Sequence, residues 1–274
     1  MPLYITSLNS GSNANCYYVG NEQEAVLIDA GLSCRQTEVR MQRLGLSLRT
    51  VKAIFISHEH SDHISGLAQL SGKYQIPVYI TTQTLRSSRL LPAKFPIRGL
   101  TAYEPVPIGA LRITAFPKQH DAADPHSFLV EDDETRVGVF TDIGIACEHV
   151  VRHFSQCHAV FLEANYDEDM LATGRYPAFL KQRIRGDFGH LSNQQALALL
   201  KEHKPAFMSH VLLAHLSKDN NSPVVARDLF LPHMNDTALI VASRFAETPV
   251  YRVQATCQQP ISCEEEHLFG EPSR

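Results

Sequence analysis

His58-Glu59-His60-Ser61-Asp62-His63 places three imidazoles and two carboxylates in six consecutive residues. The segment follows directly on Val51–Ser57, a β-branched and aromatic run that reads as a buried strand. In extended chain, residues two apart share a face, so His58 and His60 can converge on one cation. Asp62 and His63 open a helical spacing that runs to Leu70, and they turn toward a second position. Imidazole nitrogen with carboxylate oxygen suits Zn²⁺, with Mn²⁺ or Fe as alternatives. Two divalent ions about 3.5–4 Å apart generate hydroxide and clamp both oxygens of a displacement. A surface loop that holds these residues by chance is the competing reading. Their density, straight after a buried strand, argues against it.

The rest of the chain bounds what surrounds this segment. Its 274 residues are enough for one α/β sandwich with a large core. The formal net charge of −4 gives no global field for a polyanion, so any anion site must be a local patch. None of the six cysteines forms a CxxC pair, and they read as reduced thiols of a cytoplasmic protein. Met1–Thr6 lacks the marks of a signal peptide, and no apolar run reaches the roughly 20 residues that span a bilayer.

Strand-like runs at Leu3–Leu8, Asn15–Val19 and Ala25–Asp29 precede a helix that Ser33 caps and Gly45 stops. Pro77–Ile80 reads as a strand, and Leu85–Gly109, with four prolines, as irregular. Strands are expected at Ala110–Phe116, Ser127–Val130, Arg136–Phe140 and Ala159–Leu162, with a helix at Ala146–Phe154. Helices are expected at Ala178–Arg185, at Asn193–His203 under a Ser192 cap, and at Pro223–Phe230 with Pro at N1. Ala206–Leu213, Ala238–Ala242 and Val250–Val253 read as closing strands. Strands followed by helices, twice over, suggest two sheets packed face to face with helices outside. One domain over residues 1–254 is expected, with a disordered polar tail over 255–274.

The six-residue segment resembles the HxHxDH motif of the metallo-β-lactamase superfamily. That resemblance implies an α/β fold, the αββα sandwich of two mixed sheets, with ligands on loops at one edge. It also implies four further marks in order, each after a strand, and all four are present. Leu27-Ile28-Asp29-Ala30-Gly31 supplies the early Asp, which by resemblance braces the histidine loop. Lys118-Gln119-His120-Asp121 supplies a third histidine for the first metal. Phe140-Thr141-Asp142-Ile143-Gly144 supplies the bridging carboxylate, and Leu213-Ala214-His215-Leu216-Ser217 the last histidine. The implied ligand set is His58, His60 and His120 on one ion; Asp62, His63 and His215 on the other; and Asp142 between them. His126 and His210 compete for these roles and read as a turn or edge residue and a core residue.

His60 separates the chain from oxygen-reducing relatives, which carry Glu there. Only 73 positions separate Asp142 from His215, too few for the nucleic-acid-binding insert of the β-CASP nucleases. Phe161–Asp167 and Gly189-His190-Leu191-Ser192-Asn193 resemble segments of tRNase Z-like phosphodiesterases. With Asn220–Pro223 and Ser10-Gly11-Ser12-x-x-Asn15, the likeness is closest to the YycJ/WalJ-type group. It implies a 5′→3′ exonuclease on DNA, working through hydroxide generated at the metals, with Asp62 also orienting the nucleophile. That group usually has Gly before the Asn of the serine turn. Ala14 stands there, so a different local turn is expected, without consequence for the metals.

A second argument for a phosphodiester is independent of the resemblance. Arg175, Lys181, Arg183 and Arg185 lie within Gly174–Gly186, which contains no acid, and suit phosphate oxygens. A solvated helix face is the competing reading. His190, just beyond, can act as general acid on the leaving oxygen or hold a phosphate; a polar residue at a helix start is its alternative. The rival function is hydrolysis of a small ester, thioester or lactam on the same metals, which calls for a compact apolar pocket. A metal-binding scaffold without turnover is the rival from another class.

Overall fold

A computed structural model describes residues 1–90 and 95–255. Two seven-stranded sheets face each other. The first is built from β1 (Leu3–Asn9), β2 (Cys16–Gly20), β3 (Ala25–Ile28), β4 (Val51–Phe55), β5 (Val78–Ile80) and β6 (Ile97–Gly99). The last strand, β14 (Tyr251–Val253), pairs on the outer side of β1. The second sheet holds β7 (Val106–Ile108), β8 (Leu111–Pro117), β9 (His126–Glu131), β10 (Arg136–Phe140), β11 (Ala159–Glu163), β12 (His210–Ala214) and β13 (Ala238–Val241).

The two sheets repeat one plan. β14, β1, β2 and β3 are antiparallel neighbours, and β3 to β6 are parallel. Likewise β7 to β10 are antiparallel and β10 to β13 parallel. Strand periodicity explains the layering. Val26 and Ile28 of β3 and Ala53 and Phe55 of β4 enter the core between the sheets. Their neighbours Ala25, Leu27 and Ile54 pack outward, beside residues of α1 (Cys34–Arg43) and α3 (Leu67–Tyr74). In β12, Leu212 and Ala214 face inward. Val211 and Leu213 meet α5 (Glu148–Phe154), α8 (Asn193–His203) and α9 (Pro223–Phe230). The four layers are therefore helix, sheet, sheet, helix, as expected.

Local signals hold in detail. Ser192 forms a reciprocal capping box with Gln195, Pro223 stands in the first turn of α9, and Gly45 takes φ +70° after α1. The expected helix from Asp62 divides into α2 (Ser61–Ile64) and α3. Leu85–Gly109 is not wholly irregular: it holds the end of α4 (Thr82–Ser87), β6 and β7. β6 and β7 are each the last strand of their sheet, where three residues need few ladder bonds. α6 (Glu168–Thr173), capped by Asp167, was not expected; α7 (Ala178–Arg185) was. Residues 256–274, most of the expected tail, lie outside the described residues. No described helix is long and apolar enough to cross a membrane.

One core histidine makes a pH prediction. The His153 ring stacks on Phe116 at 4.1 Å, and neither ring nitrogen has a partner among the described residues. Burial first, then the charges of Arg152 and His149, push its pKa down to about 4. The unfolded chain binds this proton near 6.5, so the stabilisation is whole above pH 6.5 and is lost as pH falls toward 4. His153→Phe should flatten that acid limb of stability by about 1–2 kcal/mol. Parallel curves of Tm against pH for both proteins would show that the ring does not titrate this way.

Candidate metal centre

The site lies where strands end. Asp29 follows β3, His58–His63 follow β4, His120 follows β8, Asp142 follows β10, Glu163 ends β11 and His215 follows β12. Open α/β sheets bind ligands at such carboxyl ends, where the direction of winding changes. Asp29, Asp142 and His215 have φ of 62°, 56° and 56°. L-residues rarely hold the left-handed region, and its concentration at these strand ends marks backbone bent to aim side chains inward.

Four groups of donor atoms converge, among them the triads His58, His60 and His120, and Asp62, His63 and His215; Asp142 joins His58 and His63 in a third, and Glu163, His190 and His215 in a fourth. Asp142 reaches both sides. Its Oδ2 is 3.4 Å from His63 Nε2, and its Oδ1 is 3.4 Å from His215 Nδ1 and 3.9 Å from His120 Nε2. All but His60 and Asp62 are buried.

The rings of His58, His63 and His120 are held from behind. His63 Nδ1 lies 2.7 Å from Asp29 Oδ2, and Asp29 also accepts from the Ser57 amide and hydroxyl. His120 Nδ1 lies 3.0 Å from the Gly189 carbonyl oxygen, and Ser57 Oγ contacts His58 Nδ1 at 2.9 Å. These contacts fix ring orientation and leave Nε2 of His58, His63 and His120 facing the centre. Asp29 thus braces the loop, as the resemblance implied.

The electrostatics call for cations. Burial opposes charge on His63, yet Asp142, Asp29 and Asp62 raise its pKa well above the usual value. Burial likewise opposes charge on His215, and the nearby carboxylates of Asp142, Asp62 and Glu163 raise it to about 10. At His58 and His120 burial outweighs the Asp142 carboxylate, lowering His58 and taking His120 down to about 4. Asp142 Oδ2 and His215 Nε2 are buried with no hydrogen-bond partner among the described residues. Buried orphan lone pairs are costly, and a divalent cation satisfies both. The residues present therefore fit a metal on each triad.

Glu163 is the group that sequence reasoning missed. Fully buried, it accepts from His190 Nδ1 at 2.8 Å and His215 Nδ1 at 3.1 Å through Oε1, and from the Ile143 and Leu191 amides through Oε2. Burial opposes its charge, but His190 and these hydrogen bonds hold its pKa down at about 2. A charged residue closing the apolar run Ala159–Leu162 was the available signal. Asn165, which donates to the His215 carbonyl, was also missed.

The serine turn is not independent of the site. Asn15 Nδ2 donates to Asp62 Oδ2 at 3.0 Å, and the Asn15 amide donates to the Asp62 carbonyl. The expectation that the metal centre is indifferent to this turn is corrected. The turn is built with φ +144° at Gly11 rather than with a left-handed residue at 14.

A cleft of about 210 Å³ opens beside the centre, lined by Ser12, Asn165, Tyr176, Arg183, His190 and His215 among others. Arg183 projects into it and is paired with Asp121. Arg175 lines an adjoining cavity with Tyr176 and Asp219. Lys181 donates to the Ala172 carbonyl and Arg185 contacts the Glu168 carbonyl, and neither lines the cleft. His126 and His210 begin strands and join no metal-capable group among the described residues.

Residues 24–215 match the family described as the beta-lactamase superfamily domain. The chain is 34% identical to an exodeoxyribonuclease YycJ of Bacillus anthracis, over 83% of this chain and 87% of that one. It is 31% identical to an exodeoxyribonuclease WalJ of Streptococcus pneumoniae, over 78% of this chain and 81% of that one. Its fold resembles the metallo-beta-lactamase fold protein YhfI of Bacillus subtilis, with TM-score 0.70 and 17% identity, covering 92% of this chain and 100% of that one.

Proposed function

This chain belongs to the beta-lactamase superfamily as a metal-dependent hydrolase, and from that premise we propose that it is a dinuclear nuclease, a 5′→3′ exonuclease acting on DNA. The observation that carries the reading is His190. Its Nδ1 is fixed by a buried carboxylate, and its ring lies in the cleft, centred 5.3 Å from the His215 ring and 5.1 Å from that of His120. The exodeoxyribonuclease names of relatives above 30% identity support the substrate class.

His58, His60 and His120 would hold one cation, Asp62, His63 and His215 the other, with Asp142 shared. Divalent ions there, Zn²⁺ or alternatively Mn²⁺ or Fe, supply Lewis acidity and lower the pKa of water. Asn15 keeps Asp62 turned toward the second triad and toward the nucleophile. His190 donates a proton from Nε2 to the departing oxygen, while its Nδ1–H stays on Glu163. Glu163 holds the His190 ring in this orientation through that hydrogen bond. Arg183, released from Asp121, offers a guanidinium to a phosphate in the cleft, and Arg175 extends that surface.

Digestion of end-labelled single- and double-stranded DNA and RNA, with Mn²⁺ and Zn²⁺ compared, tests this reading. Stepwise release of nucleotides from the 5′ end of DNA is expected. Intact strands beside rapid turnover of lactams or thioesters would replace it with the small-molecule reading. His190→Ala should cut exonuclease turnover about 10²- to 10⁴-fold with metal content unchanged. Unchanged turnover would remove the proton-donor role.

A further inference from the structure

Outside the metal centre, one loop combines rigidity, exposure and unspent charge. It is the crossing from β13 to β14, Ala242–Val250, which passes from one sheet to the other. Its backbone is pinned at several points. The Ser243 carbonyl accepts from the Ser10 amide, the Thr248 amide donates to the Ser7 carbonyl, and Asn13 Nδ2 donates to the Arg244 carbonyl. Arg40, only 7% exposed, donates to the Phe245 carbonyl and to Leu8 and Asn9, and pairs with Glu247.

On this pinned loop Phe245 is 78% exposed, the highest value among the large hydrophobic residues described. An exposed aromatic ring on a fixed backbone is not core, and it offers a flat face on which a base can stack. Beside it, Arg244 Nη2 donates to Ser12 Oγ at 3.0 Å. Arg244 Nη1 is buried with no hydrogen-bond partner among the described residues, and no described carboxylate pairs with the guanidinium. Both residues line a cavity of about 460 Å³ together with Lys218 and Ser217. Ser217 also lines the catalytic cleft, as does Ser12, so the two spaces adjoin.

We propose that Arg244 and Phe245 form a nucleotide subsite of the cleft, the guanidinium taking a backbone phosphate and the phenyl ring stacking on an unpaired base. The inference rests on the nucleic-acid reading above and deepens it, because a base lying on Phe245 must leave its duplex. The subsite selects a single-stranded end. A stacked base and a paired base are alternatives, whereas a phosphate contact alone serves either form.

The test is binding of the metal-loaded protein to phosphorothioate-linked oligonucleotides that resist cleavage, followed by fluorescence anisotropy. Single-stranded, double-stranded and abasic strands are compared. Stacking of one base on an aromatic ring is worth about 10- to 100-fold in affinity. Phe245→Ala should therefore weaken the single strand about tenfold or more, leave the abasic strand unchanged, and be rescued by Phe245→Trp. Arg244→Gln should weaken both strands and reduce the slope of log affinity against log salt by about 0.7, while Arg244→Lys retains the slope. Wild-type affinity of Phe245→Ala for the intact single strand, or tighter wild-type binding of duplex, overturns the subsite and leaves the nuclease reading standing. A wild-type protein that neither binds nor cuts any strand overturns both.

Discussion

Asp142→Ala is expected to abolish hydrolysis, lowering turnover by about 10³-fold or more, equivalent to ~4 kcal/mol. The reason is its position. One fully enclosed carboxylate lies within 4 Å of His63 and His215 of one triad and of His120 of the other. The same carboxylate is the main charge that raises the pKa of His63 and His215 against burial. Without it, a cation on either triad loses a shared anionic ligand and meets a less negative enclosure. Elemental analysis should show about two tightly bound metals per wild-type chain and fewer in the variant. A variant with full metal content and wild-type turnover would refute the shared-ligand role. Asp142→Asn separates charge from shape: it keeps the volume and should still lose most activity.

Gly31→Ala should damage both stability and the site. A Cβ at residue 31 would lie 1.7 Å from the Asp62 carbonyl oxygen and 2.7 Å from the Asn15 amide nitrogen. Neither neighbour is a flexible side-chain end; both are backbone, already joined by the hydrogen bond that seats Asp62. Relief must move the turn that carries Asp62, or the serine turn that fixes it. Overpacking of this kind costs about 1–3 kcal/mol or more. For a chain of this size that corresponds to a fall in Tm of very roughly 3–10 °C. Activity should fall further than stability explains, because Asp62 is displaced from His63 and His215. Gly45→Ala is the contrast: φ is +70° there with nothing within 4 Å of the added carbon. It should cost about 1 kcal/mol of backbone strain and leave turnover intact. Equal effects of the two substitutions on activity would remove the steric argument.

Much of this was legible because it is local. The runs Ala25–Asp29, Val51–Ser57 and Arg136–Phe140 already marked β3, β4 and β10 as strands. His58 to His63 lie in one turn of chain, so their chemistry is visible without any knowledge of the fold. The resemblance to the superfamily motif pointed to His120, Asp142 and His215, each after a strand legible in the sequence. Where local signals weaken, the reading weakened too. β6 and β7 are three residues long and hold their places by pairing with β5 and β8, which no window of sequence reports.

The segment His58–His63 by itself determined that this chain gathers nitrogen and oxygen donors for cations, and the apolar run Val51–Ser57 before it determined that they follow a buried strand. Only the tertiary structure decided what surrounds those donors. Glu163 becomes the brace of His190 because β10, β11 and β12 are adjacent. Arg183 is neutralised by a residue 62 positions away, so a run of basic residues is not the same as a free basic surface. Arg244 meets the serine turn across more than 230 positions. Charge and hydrogen bonding act through space, and the fold fixes which distant residues share a dielectric environment and a partner.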